Sequence, residues 1–199
     1  MSMTGKFIVI EGTDRSGKTT LLKNVTSRLK EKYPTYKITD VHYPDRSTET
    51  GQILDKYLRK EITLEKHVSH LLFSANRWEK DAQIRELLIN NIVISSRYYF
   101  SGISYSIAAL DMDRNWAKQP DNGLVKPDLL IFLDVPVDST SKRDQFGTEV
   151  YDNQKVQQKI YDELKNQCLE YENCKIVKGL CDIDELTNKV ITLIEEVFD

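Results

Sequence analysis

Short apolar runs alternate with amphipathic stretches along this chain. KFIVIE, Lys6 to Glu11, reads as a brief buried strand. It is followed by a glycine-containing turn and a helix in which Leu22, Val25 and Leu29 recur at helical spacing. KITDVHY (Lys37 to Tyr43) reads as a second strand, stopped by Pro44. A helix is expected near GQILDKYLRK and a longer one from Thr63 to about Asn90. NIVIS reads as a third strand, DLLIFLDV (Asp128 to Val135) as a fourth and CKIVKG, around Cys174, as a fifth. A last helix covers Asp182 to Val197.

Strands alternating with helices predict βαβ units, hence an α/β fold with a parallel sheet covered on both faces. Such sheets bind ligands beyond the carboxyl ends of their strands. Gly12, Pro44, Arg97 and the segment after Val135 are therefore expected to converge on one edge. Asp111 to Lys126 looks less regular. The polar stretch 137–153, VDSTSKRDQFGTEVYDN, reads as a mobile cover.

With 199 residues the chain suits one domain, spanning 1–199. Charged residues make up 30% and the formal net charge is −3, which gives no reason to expect a nucleic acid or an anionic membrane as partner. Any anion must be held by a local constellation. No apolar segment approaches a membrane span or a signal-peptide core. Cys168, Cys174 and Cys181 lack CxxC spacing and read as reduced thiols of a cytoplasmic protein, with the nucleus left open.

GTDRSGKT, Gly12 to Thr19, fits G-x-x-x-x-G-K-[ST] without deviation, between a strand and a helix. A chance match is expected in roughly one chain of this length per hundred, so the motif weighs heavily. Its glycines let backbone N–H groups of Gly12, Ser16 and Gly17 turn towards phosphate oxygens at a helix N-terminus. Lys18 then reaches the β- and γ-phosphates, while the hydroxyls of Thr19 and its neighbour Thr20 lie at the helix start, Thr19 towards Mg²⁺. The loop binds a nucleoside triphosphate. Arg15 adds positive charge; Asp14 must face away from phosphate, towards a hydroxyl or a base, or else stabilise the turn.

Arg46, in HYPDRST, and Arg97 both follow strand ends. Together they suggest a second phosphate, that of an acceptor, since a guanidinium grips phosphate bidentately; surface ion pairs are the alternative. On the long helix, Leu64, Val68, Leu72, Ala75, Trp78 and Ala82 fall within a stripe about 120° wide, so Trp78 counts as core. Phe73 and Arg77 lie off that stripe and one turn apart, an aromatic face beside a fork of donors, as a flat heteroaromatic ligand needs. A covering helix over Phe73 is the alternative.

GTDRSGKTT, YPDRSTETG, HLLFSANRWE, RYYFSG, KQPDNGLVKPDL and FGTEVYDN, in that order, resemble the eukaryotic-type thymidylate kinases, from Lys6 to about Tyr161. The resemblance implies a five-stranded parallel sheet in a three-layer sandwich, closed by a lid at about 137–153, and a homodimer. It implies transfer of a phosphoryl group from ATP·Mg to dTMP. Arg15 and Lys18 would steady the group in transit, Arg46 and Arg97 hold the dTMP phosphate, Phe73 stack on thymine and Arg77 bond its carbonyl edge. Asp14 would take the 3′-hydroxyl, Tyr105 crowd the 2′ position, and Tyr151 help position Asp14 and the sugar. Ser101 and Gly102 would line the nucleoside, and Arg143 would lie against adenine.

One residue departs from the pattern. The family ends its third strand with Asp-Arg-Tyr, where this chain has Ser96-Arg97-Tyr98. Serine offers oxygen without charge, so Ser96 is expected to help fix Mg²⁺ weakly, through water, with Glu149 or Asp14 compensating. Other readings are a kinase of the same fold for dUMP, dGMP or an analogue, and a nucleotide-binding protein impaired at Ser96. A GTPase switch lacks its N-K-x-D motif.

Overall fold

The computed structural model describes residues 5–142 and 147–198. Its centre is a five-stranded sheet of β1 (Lys6–Glu11), β2 (Lys37–His42), β3 (Asn91–Ser96), β4 (Leu129–Asp134) and β5 (Cys174–Lys178). The strand order is β2-β3-β1-β4-β5 and every pairing is parallel, as the alternation predicts. β1 aligns with β3 from Lys6 opposite Ile92 to Ile10 opposite Ser96, so both strands end on the same edge.

The two-residue period of a strand explains both cores. Ile8, Ile10, Ile92, Ile94, Ile131 and Leu133 face one side, where they meet α1 (Lys18–Lys32) and α8 (Ile183–Glu195) through Leu21, Val25, Val190 and Ile194. Phe7, Val9, Val93, Leu130 and Phe132 face the other. There they meet α3 (Lys66–Leu87), α4 (Tyr99–Leu110) and α7 (Gln154–Leu169) through Ile84, Phe100 and Leu164. Central-strand side chains such as Ile8 and Phe132 are wholly buried, each contributing roughly 1.5–3 kcal/mol. The remaining helices are α2 (Glu49–Leu58), α5 (Arg114–Lys118) and α6 (Val137–Thr140). Asp111 to Lys126, read as less regular, holds α5 and a 3₁₀ turn over Gln119–Asp121. α6 and the turns after it carry the described part of 137–153.

The long helix overturns one expectation. Trp78, counted as core, is 40% exposed, as are Val68 (46%) and Leu71 (47%). Besides Ile84, the buried positions are the polar Ser69, His70, Ser74, Asn76, Arg77 and Asp81. These polar groups find partners inside: Ser74 Oγ donates to Asp121, Asn76 to Asp45 O, and His70 Nδ1 meets Ser106 Oγ at 2.6 Å. A face whose polar groups are mutually satisfied can be buried, and the apolar stripe turns outward. Helical periodicity finds the stripe but not the direction it faces. This helix also starts at Lys66, later than Thr63, because Glu65 caps it by accepting from His67 N and Val68 N.

Candidate active site

The carboxyl ends of β1, β2 and β3 open into a cleft of about 1080 Å³. Its lining includes Asp14, Arg15, Gly17, Lys18 and Thr19 from the phosphate loop, Arg46, Phe73 and Arg77, Ser96 and Arg97, and Ser101, Gly102, Tyr105 and Tyr151. Residues scattered over more than half the chain thus share one wall system, as the strand-end argument requires.

The loop's shape follows from its glycines. Gly12 has φ +155°, and a Cβ there would meet Ser16 Oγ at 2.9 Å and Leu133 O at 3.0 Å. Gly17, at φ 96°, turns the chain into α1 from a left-handed conformation that costs glycine little. Lys18 folds back and donates to Thr13 O (2.5 Å) and Ser16 Oγ (3.1 Å). Burial, and then the charge of Arg97, hold the Lys18 ammonium well below its usual range. An anion in the loop would relieve that strain, so the site is built to receive one. Thr19 lines the cleft, whereas Thr20 is exposed and lies outside its lining.

Arg97 is the hub. It sits at φ 65°, its N–H bonded to Ile10 O at 2.9 Å. Its guanidinium donates to Gly12 O (3.2 Å), Ser101 Oγ (2.9 Å) and Asp14 Oδ1 (2.5 Å). Asp14 Oδ2 accepts from Tyr105 (2.7 Å) and Gln157 (2.9 Å). Burial by itself would raise the Asp14 pKa, but Arg97, Lys18 and these two hydrogen bonds outweigh it and hold the carboxyl below its ordinary value. Asp14 therefore points towards Arg97, Tyr105 and Gln157 and not into the phosphate loop. The simple turn contact is not what it makes.

Tyr151 reaches Asp14 only indirectly. Its hydroxyl meets Tyr57 at 3.1 Å, its ring stands edge-on to Tyr105 with centroids 5.2 Å apart, and its carbonyl accepts from Gln157. Arg46 is exposed and donates to Asp55 (2.6 Å) and Glu149 (3.0 Å). Glu149 and Asp14 are thus both paired with arginines, which argues against their compensating for Ser96 at a metal. Ser96 itself is buried at the strand end and faces the cleft. Arg143 lies outside the described residues.

Four contributors escape sequence reasoning. Glu11, fully buried, accepts from Tyr98 N, Ser101 N and Ser101 Oγ and so caps α4. Burial raises its pKa, opposed by Arg97 and those bonds. Asp152 clasps both terminal nitrogens of Arg15, at 2.5 and 2.9 Å. Gln157 holds Asp14, and Asp121 holds Arg77. An acid closing an apolar strand was a usable signal for Glu11; the others act across long sequence separations and leave none.

Known proteins of similar sequence and fold share one family. The thymidylate kinase family model matches residues 10–190. Thymidylate kinase from Plasmodium falciparum is 42% identical over 163 residues, covering 81% of this chain and 77% of that protein. The human thymidylate kinase is 40% identical over 156 residues, covering 78% and 73%. The structure of thymidylate kinase from Candida albicans, reported with a broad substrate specificity, superposes with a TM-score of 0.85. It is 35% identical, covering all of this chain and 96% of that one.

Proposed function

Because this chain belongs to the thymidylate kinase family, we propose that its cleft seats ATP and dTMP end to end and that the residues gathered there carry the transfer. The protein is a nucleoside monophosphate kinase that phosphorylates dTMP to dTDP with ATP. One observation supports the seating above all others. The Arg97–Asp14 pair joins the phosphate loop to the end of β3 in the same cleft that Phe73 and Arg77 line.

Phosphoryl transfer needs positioning and charge stabilisation more than covalent chemistry. Lys18 and Arg15 face the donor phosphates, Arg97 and Arg46 the acceptor phosphate. Asp14 accepts the 3′-hydroxyl while Tyr105 fills the 2′ position. Phe73 stacks on thymine, with Arg77 at its carbonyl edge and Ser101 and Gly102 flanking the nucleoside. The segment at about 137–153, described over 137–142 and 147–153, acts as a lid that keeps water from the donor phosphate.

Mg²⁺ fits what the chain offers. Thr19 and Ser96 present hydroxyls to the cleft, and among the described residues no cluster of three or more His, Cys, Asp or Glu could hold a metal. An ion bound mainly by phosphate oxygens and water suits that set. When present it neutralises charge on the β- and γ-phosphates.

The outward stripe of Val68, Leu71 and Trp78 on α3 supports a homodimer through this face. No described helix is long and apolar enough to cross a membrane.

ADP formation over a panel of monophosphates, with Lys18→Ala as blank, tests the substrate. A preference for dTMP is expected; equal rates for all monophosphates would overturn the assignment. Light scattering of Leu71→Glu beside the unaltered chain tests the dimer, since a loss of mass to the monomer is expected.

A further inference from the structure

The segment KQPDNGLVKPDL has no role in the reading so far, yet it delivers the closest partner of the base-facing arginine. Asp121 ends the 3₁₀ turn and is 2% exposed, as is Arg77. Its Oδ1 accepts from Arg77 Nε at 2.9 Å and its Oδ2 from Arg77 Nη2 at 2.8 Å. Ser74 Oγ steadies Oδ1 at 2.8 Å and also reaches Pro120 O, while Trp78 Nε1 holds Pro120 O at 2.7 Å. The other flank of the guanidinium rests against Gly102, where even a methyl group would lie 2.7 Å from Nη1.

A guanidinium has five N–H donors and no acceptor. Asp121 occupies Nε and one Nη2 donor, so three donors are left, two on Nη1 and one on Nη2, and the terminal edge between those nitrogens is held in a fixed direction. A pyrimidine with a carbonyl at position 4 presents an acceptor to such an edge, whereas one with an amino group there presents a donor. An arginine free to rotate could withdraw from the amino group; one clamped on two sides cannot.

We propose that Asp121 is a specificity-determining positioning residue, which by clamping Arg77 makes the base pocket reject 4-amino pyrimidine nucleotides. This rests on the placement of the base at Phe73 and Arg77 argued above. General loosening of the fold would slow all monophosphates alike, so the informative readout is a ratio.

The test is kcat/KM for dTMP and for dCMP in the unaltered chain, in D121N, in R77Q and in the double variant. D121N is expected to shrink the dTMP/dCMP ratio by about tenfold or more, through the KM for dTMP, with kcat changed less than about threefold. R77Q is expected to lose the ratio too, and D121N added to R77Q to lose nothing further. An unchanged ratio in D121N, or an equal extra loss on the R77Q background, overturns the proposal. If D121N fails to fold, S74A keeps the charge and removes one bond to Oδ1. It should lower the ratio about threefold, and an unchanged ratio there is equally decisive against the clamp. Absence of any dTMP preference in the unaltered chain would defeat the substrate reading instead, a separate outcome.

Discussion

In the proposed transfer Arg15 steadies a phosphoryl group only if something aims it, and Asp152 is in contact with it through both terminal nitrogens. Asp152→Asn keeps the shape and removes the charge. The side chain of Asp152 is 1% exposed and that of Arg15 18%. Besides accepting from Arg15 Nη2, Asp152 Oδ2 accepts from Gly147 N (3.1 Å) and Glu149 N (2.9 Å), so the carboxylate joins the arginine to the segment from Gly147 to Glu149. Breaking a fully buried pair costs about 3–5 kcal/mol. Arg15 can turn partly into solvent, so about 2 kcal/mol is the better figure, or about 30-fold in rate. Steady-state kinetics of ADP release should show that loss in kcat, with the KM for dTMP within about twofold. The decisive comparison uses Arg15→Ala: added to it, Asp152→Asn should cost almost nothing more. A second 30-fold loss on that background would mean the two residues act independently, and the reasoning would be wrong.

Three further outcomes are expected. Ser96→Asp should tighten Mg²⁺ in the ADP complex, measured by titration calorimetry as well as by activity; unchanged metal affinity would remove position 96 from the metal's surroundings. Gly102→Ala should lower the melting temperature, because crowding the clamped Arg77 guanidinium costs about 1–3 kcal/mol, more than the roughly 1 kcal/mol by which alanine favours a helix over glycine. It should also raise the KM for dTMP by pushing on Arg77, which the added methyl would meet at 2.7 Å; a falling KM would refute the contact. Asp45 would be raised by burial, but bonds from Lys80 and Ser47 hold its pKa down to about 2. A lowered folded pKa means stability present above the ordinary carboxyl range and lost as pH falls from about 4 to about 2, worth about 2 kcal/mol. Asp45→Asn should flatten that limb of an acid-unfolding curve, and an unaltered limb would show that the carboxylate contributes nothing there.

The strands were legible because a sheet covered on both faces needs unbroken apolar runs, and Phe7 to Ile10 or Leu129 to Leu133 leave little else to be. The phosphate loop was legible because its spacing is dictated by backbone geometry. What stayed hidden was set by contacts distant in sequence. Arg77 and Asp121 are 44 residues apart, Asp14 and Gln157 are 143 apart. Neither pair leaves a local trace. α3 was misread for a different reason, since its inner face is polar and satisfied from other elements, so hydrophobicity points the wrong way.

Glu11 and Ile10, the last residues of β1, hold the far side of the site. Ile10 O fixes the backbone of Arg97, and Glu11 caps the helix that begins beside it. In the proposed seating the acceptor's principal grip is therefore bonded to a buried central strand, while the donor side's Arg15 is tethered through Asp152 to the segment from Gly147. A catalytic cycle so seated would have one jaw fixed to the sheet and one tied to a surface segment. Under the proposed seating, displacement of that segment would open the donor end without disturbing the alignment at the other, so successive turnovers would start from an unaltered half-site.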